Sequence, residues 1–512
     1  MRCCSACTAG AIERALRAVA RRVSRWCALL ACVLATAASY ALADTWLDAG
    51  DRVLRDDLTA LADAGVIALP LNAWPIPTAL VREALSEVAP EQAASLRQRP
   101  DLQFALDRLR AVVDRSSGLE FSAAAGQPAR LRGFDELTRE DSEWQAAYSV
   151  ERERVSARLS VTAVVGALDG QSLRLDGSHL SVRAGNWLLS ANLLDRDWGP
   201  GQDSSLILSN NARPMPALVL ERATARAFET RWLSWLGPWR ASALLGRMES
   251  ERNDVDRPLF LGLRASFQPR PWIEIGAQRT AQFCGEGRPC SLSTFKDLLL
   301  GNDNRGIDAT EASEPGNQLA GLDLRIVSPF VSLPVAIYTQ QIGEDESGYW
   351  PVKLLGQFGV ESWYALQSGA LIRGYAEYAD TACSYNRAQP RFGCAYTQGI
   401  FNAEGYRYRG RGIGHATDSD SESLAVGVSL REAAGDLWQL RLRSARLNRG
   451  AVTNPYNSVS VLPADYQSLL LGWGGERRWG RLQLQLGAQR YEPRGAPTQT
   501  QALGAVRWER DR

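Results

Sequence analysis

Lysine is almost missing from this 512-residue chain, which has only Lys296 and Lys353, and histidine occurs just twice, as His179 and His415. Neither histidine sits in an HExxH or other metal-ligand spacing, so a metal site is not expected. A GxSxG elbow and a phosphate-binding glycine loop are also missing, and with them the signatures of α/β-hydrolases and nucleotide-dependent enzymes. His415 beside Asp418 and Ser419 is the one grouping that suggests a hydrolase, yet closeness in sequence does not make a triad. Neither a catalytic residue nor a cofactor is therefore expected. Beyond residue 43 no stretch approaches 18 uninterrupted apolar residues, which excludes a helical membrane protein and leaves a β-barrel open. A basic stripe is lacking too. The six arginines and one glutamate of residues 1–43 outweigh the whole-chain charge of +1, so the remainder is net negative and nucleic acid is not an expected partner.

Those first residues read as a secretory signal. Arg14, Arg17, Arg21, Arg22 and Arg25 precede an apolar run from Trp26 to Ala38, and Ala41-Leu42-Ala43 is a small-residue cleavage site. The run is shorter than the ~20 residues a membrane span needs, which argues against a retained anchor. Leu30-Ala31-Cys32 imitates a lipoprotein box and Arg21-Arg22 a twin-arginine signal, each without the rest of its pattern. Of nine cysteines, five leave with the signal. The other four form two close pairs, Cys284 with Cys290 and Cys383 with Cys394, which in an exported chain read as two disulfides in exposed loops. A metal site or crossed pairing competes with this, but CxxC spacing and a neighbouring histidine are both lacking.

From Asp44 to about Ser117 the apolar period is helical: Leu54, Leu58, Leu61 and Ala62, then Ala79 to Val88, then Leu102, Ala105, Leu106, Leu109, Val112 and Val113. Three short helices make a poor core alone, so this segment is expected to dock on something larger. After residue 118 the period becomes two. Leu482, Leu484, Leu486 and Ala488 interleave with Gln483, Gln485, Gly487 and Gln489, and Leu424, Val426, Val428 and Leu430 alternate with polar or small residues in the same way. A soluble sandwich also alternates, but seldom over so long a stretch in one domain. Strands of ~10 residues joined by alternating short and long connections predict a barrel of roughly 16 to 18 strands. The expected division is 1–43 signal, 44–117 periplasmic helical bundle and 118–512 barrel. Its extracellular loops are Cys284 to Gln318 and Ala379 to Ser423, and its interfacial aromatics include Trp272, Trp438 and Trp508.

Two segments carry candidate binding chemistry. One runs from Leu194 through Trp198-Gly199-Pro200-Gly201 to Arg213-Pro214-Met215-Pro216; the other runs Tyr406-Arg407-Tyr408-Arg409-Gly410-Arg411-Gly412-Ile413-Gly414-His415 and on to Asp418 and Asp420. Aromatic faces stack on the C–H side of a sugar, while planar arginine and carboxylate or amide groups meet its hydroxyls and any uronate. Trp198, Arg213, Tyr408, Arg409, Arg411, His415, Asp418 and Asp420 are accordingly the candidate polysaccharide contacts. The competing reading is structural, with arginine and aspartate pairing inside a lumen and Gly-Pro shaping turns.

These segments, with Trp46-Leu47-Asp48-Ala49-Gly50-Asp51, Leu61 to Ile67 and Trp74-Pro75, make the chain resemble the Wzi family of outer-membrane capsule-assembly proteins. The resemblance implies an all-β transmembrane barrel of about 18 antiparallel strands in the outer membrane of a Gram-negative bacterium. A small N-terminal α-helical bundle closes its periplasmic end. It implies a lectin-like role in attaching capsular or extracellular polysaccharide, with outer-membrane lipid and the barrel-insertion machinery as further partners. One departure is the tail Glu509 to Arg512 after Trp508, where barrels commonly end on an aromatic residue. The alternative is a porin or specific transporter, which would need an open lumen.

Overall fold

The computed structural model describes residues 46–511 apart from 115–117, 153, 301–315, 331–332, 348–349, 398–403 and 451–453, so the signal segment lies outside the described residues. Eighteen antiparallel strands close a barrel. In chain order they are β1 Leu119–Gly126, β2 Ser142–Arg152, β3 Val155–Val165, β4 in two pieces (Leu173–Arg174 and His179–Ala184), β5 Trp187–Asn192, β6 Ala217–Arg222, β7 Trp239–Arg247, β8 Leu259–Arg270 and β9 Ile273–Phe283. The ring continues with β10 Gly316–Val327, β11 Val335–Ser347, β12 Trp350–Ala365, β13 Leu371–Asp380, β14 Glu422–Arg431, β15 Leu437–Leu447, β16 Ala464–Arg477, β17 Gly480–Pro493 and β18 Gln499–Asp511. Each pairs with its neighbour in sequence, and β18 closes on β1 from Ala505↔Gly126 to Asp511↔Glu120. Trp508 therefore lies within the last strand rather than at its end.

The alternation now has a direction. On β15, Leu442 is 47% exposed while its neighbours Arg441 and Arg443 are each 5% exposed. Across the ladder Leu442 stands beside Val426 and Leu469, which are also exposed. Apolar side chains cover the outside and charged ones the inside, the reverse of a soluble sandwich. An exposed Leu or Val forgoes ~1.5–3 kcal/mol of burial, so a wall of them calls for an apolar solvent, and a closed ring leaves no backbone group unpaired there. Trp187, Trp272, Trp438 and Trp479 are exposed near the end carrying mostly short turns, such as Gly185-Asn186 and Arg478-Trp479. Two inward glycines are sterically required. Tyr338 faces Gly359 and Tyr375 faces Gly427, where an added Cβ would meet the ring at 2.0 and 2.2 Å.

Before the barrel come α1 Arg52–Asp63, α2 Thr78–Ser86, α3 Pro90–Ser95 and α4 Pro100–Val113. There are four helices where the apolar period suggested three, because α3 is six residues begun by a proline at N1 and too short to show a period. Leu58, Leu61, Leu80, Val81, Leu106 and Leu109 share one core with Leu371 of β13. Ion pairs fix α1 to the short-turn end: Asp63 to Arg325 (2.7 Å) and Arg373 (3.2 Å), and Asp57 to Arg431.

The long connections depart most from expectation. Segments 127–141, 193–216 and much of 381–421 fold back into the barrel instead of projecting into solvent. Both disulfides are present: Cys383 is fully buried and Cys284 nearly so, while the stretch each bridge closes is largely exposed, with Glu286, Gly287 and Cys290 exposed in one loop and 386–389 and 391–393 in the other. After Cys290, helix α5 (Leu292–Leu300) lays Leu298 on Leu261, Ala281 and Phe283. In the chain-entropy account, loops this short give ~2–3 kcal/mol per disulfide.

Leu442→Arg, at the middle of the outer wall, is expected to lower unfolding stability in lipid vesicles by ~2–4 kcal/mol. Urea titration in vesicles checks this, and a loss below ~1 kcal/mol contradicts a lipid-facing Leu442.

Candidate functional site

The first candidate segment is a plug, and its glycines and tryptophan explain its course. Asp197–Trp198 pairs with Ala73–Trp74 of the N-terminal segment, and the Trp198 amide donates to Leu208 O at 2.8 Å. Gln340 of β11 donates to Trp198 O at 2.7 Å. The next residue must be glycine, because a Cβ at Gly199 would meet Gln340 and Ser205 at 2.8 Å. Trp198 is buried among Leu206, Ile207, Leu208 and Phe260. Its ring is a core element and presents no face to a sugar.

The second segment is two-layered. In the lower layer Arg407, itself buried, donates to Asp418 at 2.8 and 2.6 Å, and Asp418 also accepts the Ser458 amide at 2.7 Å. Burial alone would raise the Asp418 carboxyl, but Arg407 and Ser458 outweigh it and hold it below the usual range. Asp420 has only the Gly393 amide and more distant cations, so burial pushes it up to about 6. His415 bonds Thr417 Oγ1 at 2.8 Å through Nδ1, and burial pushes it down to about 4. Tyr396 and Tyr406 stack 5.7 Å apart beneath them, donating to Leu206 O and Ile207 O.

The upper layer is a hairpin in which Tyr408 pairs with Arg411 across Arg409-Gly410. Arg409 and Gly410 both have positive φ, 50° and 78°, as a two-residue hairpin turn of this hand requires. That conformation costs a non-glycine residue ~1–2 kcal/mol, and the Arg409 amide is held in it by Glu249 at 2.9 Å. The Arg409 guanidinium lies 5.5 Å from the Tyr408 ring centre and 3.8 Å from Asp169. Asp169 also pairs with Arg213, which grips Asp176 at 2.9 Å through two nitrogens. Arg411 reaches the other side, donating to Arg139 O at 2.7 Å.

Arg213, Tyr408, Arg409 and Arg411 thus come together at the long-loop end, where Arg409 and Arg411 are partly exposed and Tyr408 and Arg213 are buried, while Trp198, His415, Asp418 and Asp420 lie buried below as support. The patch includes Arg139, Arg174, Glu140, Asp169 and Asp176, which sequence reasoning missed. The only signal for Asp169, Arg174 and Asp176 was the charged, glycine-rich run from Asp169 to Gly177, where β4 is broken.

The sequence profile described as capsule assembly protein Wzi matches residues 114–501. The chain belongs to the Wzi capsule assembly family. The matched range covers the barrel as far as the start of β18, with both candidate segments. Wzi itself, an outer membrane protein involved in group 1 capsule assembly in Escherichia coli and a carbohydrate-binding β-barrel, has a solved structure that is 27% identical. The superposition has a TM-score of 0.79 and covers 91% of this chain and 99% of that one, so it reaches past the barrel into the helical segment. An uncharacterized 55.8 kDa protein in the cps region of Klebsiella pneumoniae is 34% identical over 334 residues, 65% of this chain. The match spans 64% of that relative's length, just under two thirds. Membership of the Wzi family places the chain in the outer membrane of a Gram-negative cell.

Asp418→Ala leaves Arg407 buried without its carboxylate and is expected to destabilise the plug by ~3–5 kcal/mol. Hydrogen exchange should show lost protection across 404–421 with the strands intact. Acid titration separates the other two groups. His415 binds its proton less tightly folded than unfolded, so plug stability is full above pH 6.5 and is lost as pH falls toward 4. Asp420 works oppositely, adding stability as pH falls from about 6 toward its ordinary value. Asp420→Asn is therefore expected to steepen the acid loss and His415→Gln to abolish it.

Proposed function

We propose that this protein is an outer-membrane lectin that attaches capsular or extracellular polysaccharide to the cell surface through its long-loop end. The observation that carries the reading is the filled lumen. Among the described residues four interior cavities measure only about 20, 30, 30 and 20 Å³, room for roughly a water each, while the one large hollow, about 830 Å³, lies on the outer wall beside the exposed Leu220 and Leu322. A barrel closed by its own loops and by helices α1–α4 has little to offer a permeating solute, which argues against the porin reading. What it presents instead is the tip Arg409–Gly410–Arg411, with Tyr408 and Arg213 buried directly beneath it. The short-turn end with its helices then faces the periplasm, and the patch faces outward.

Two further observations support a holding role over a chemical one. His415 is neutral and bonded to Thr417, while Asp418 is taken up by Arg407 and Ser458, so that grouping lacks a base poised on a nucleophile. The carbohydrate binding of E. coli Wzi gives the same class of ligand.

Deleting the gene is expected to release polysaccharide into the medium while total synthesis and export continue. Quantifying cell-bound and released polymer checks this. Full retention on the cell, with lost uptake of a small solute, would establish the porin reading instead.

A further inference from the structure

Most buried guanidiniums inside this barrel meet a carboxylate. Arg264 has Asp323, Arg325 and Arg373 share Asp63 and Glu361, Arg407 has Asp418, and Arg441 and Arg443 share Asp135, Glu136 and Asp203. Among the described residues Arg55, Arg196 and Arg222 are buried with carbonyl or amide partners instead, and two arginines at the patch have such partners as well. Among the described residues, Arg132 and Arg411 make no ion pair. Arg132 is 8% exposed and donates only to the carbonyls of Asn210 and Glu136. Arg411 donates only to Arg139 O. Arg139 lies between them, bonded to the same Asn210 carbonyl (3.0 Å) and to Asp195 (3.0 and 3.1 Å). In all three the Nε–H is buried without a partner.

The neighbouring carboxylates do not balance this group. Glu136 is engaged by Arg441 and Arg443, Glu140 by Arg174 at 3.0 Å, and Glu143 by the amides of Arg139 and Glu140. Asp195 bonds Arg139 alone and leaves Arg132 and Arg411 without a carboxylate in contact. Burial, with the adjacent guanidiniums adding to it, pushes Arg132 down to about 9 and Arg411 down to about 10. Three separate segments deliver these groups to one spot, and its outer edge is open: Arg411 is partly exposed and the Asp195 side chain is 26% exposed.

We propose that Arg132, Arg139 and Arg411 form an anion subsite that takes an acidic substituent of a polysaccharide, a carboxylate or a phosphate. Guanidiniums present paired N–H donors that match either group. The ligand would supply the charge that the protein withholds. This inference rests on the polysaccharide reading and narrows it to acidic polymers.

The test uses the purified full-length protein in detergent and the strain's own surface polysaccharide in three forms: untreated, with carboxylates reduced to alcohols, and dephosphorylated. Untreated polymer is expected to bind with a Kd that rises with salt. One of the two treatments should weaken binding by about tenfold or more, and which one does so names the group. Arg411→Gln should weaken untreated polymer equally, and Arg477→Gln at the opposite end should not. Because Arg411 has no carboxylate to lose, Arg411→Gln is also expected to unfold at the same temperature as the parent or higher. Equal binding of all three forms, or a marked loss of stability in Arg411→Gln, overturns the subsite while leaving the lectin reading in place. Failure to bind any form overturns both.

Discussion

The inward arginines of the wall determine how the interior is built. Arg441 and Arg443 on β15 point into the lumen, and a guanidinium there needs either water or a carboxylate. The wall supplies few, so the loops do: Asp135 and Glu136 come from segment 127–141 and Asp203 from segment 193–216. Each pair gives little net stability over an apolar substitute, but removing one partner strands a buried charge. Loop and wall are therefore committed to each other. That commitment also sets register, since a two-residue slip of the loop would carry Asp135 past Arg441 and Arg52 together.

The same logic joins the helices to the plug. Arg52 on α1 pairs with Asp135, reaching through the barrel to the segment that Arg441 holds from the side. Arg55 donates to Pro200 O and Gly201 O and lies over the Phe134 ring. Helix α1, two inward loops and β15 are thus one bonded body. A segment with so small a core of its own gains its order here, and in return it closes the short-turn end.

The sequence made the wall legible and hid the interior, for a physical reason. Period-two patterns such as Leu424–Arg431 report which face meets lipid, because each outward residue must be apolar on its own account. Strand β4 lacks such an unbroken pattern because it is interrupted at Asp176-Gly177, where the chain turns to offer Asp176 to Arg213. The loops escaped detection because their burial depends on partners far away in sequence. Tyr396, Arg407 and Asp418 are polar enough to belong in solvent, and only Leu206 and Ser458 show that they do not. Likewise the two motifs supplied eight candidate contacts that the structure gathers around one plug, but composition cannot separate the four at the patch from the four beneath it. Arg132 and Arg139 carried no signal at all, since an isolated arginine in a loop reads as solvated.

A rigid plug also bears on how such a surface can hold a polymer. A surface site gains little per contact, so whatever ordering it required on binding would consume much of that gain. Here the ordering precedes the ligand. The Arg409-Gly410 turn is already held in its strained conformation by Glu249, and the hairpin stands on Arg407, Asp418 and the stacked tyrosines below. A polysaccharide repeats its epitope, so weak contacts at many copies add through effective concentration. Preorganisation matters most in that regime, because the entropy saved at one site is saved again at every barrel the chain crosses.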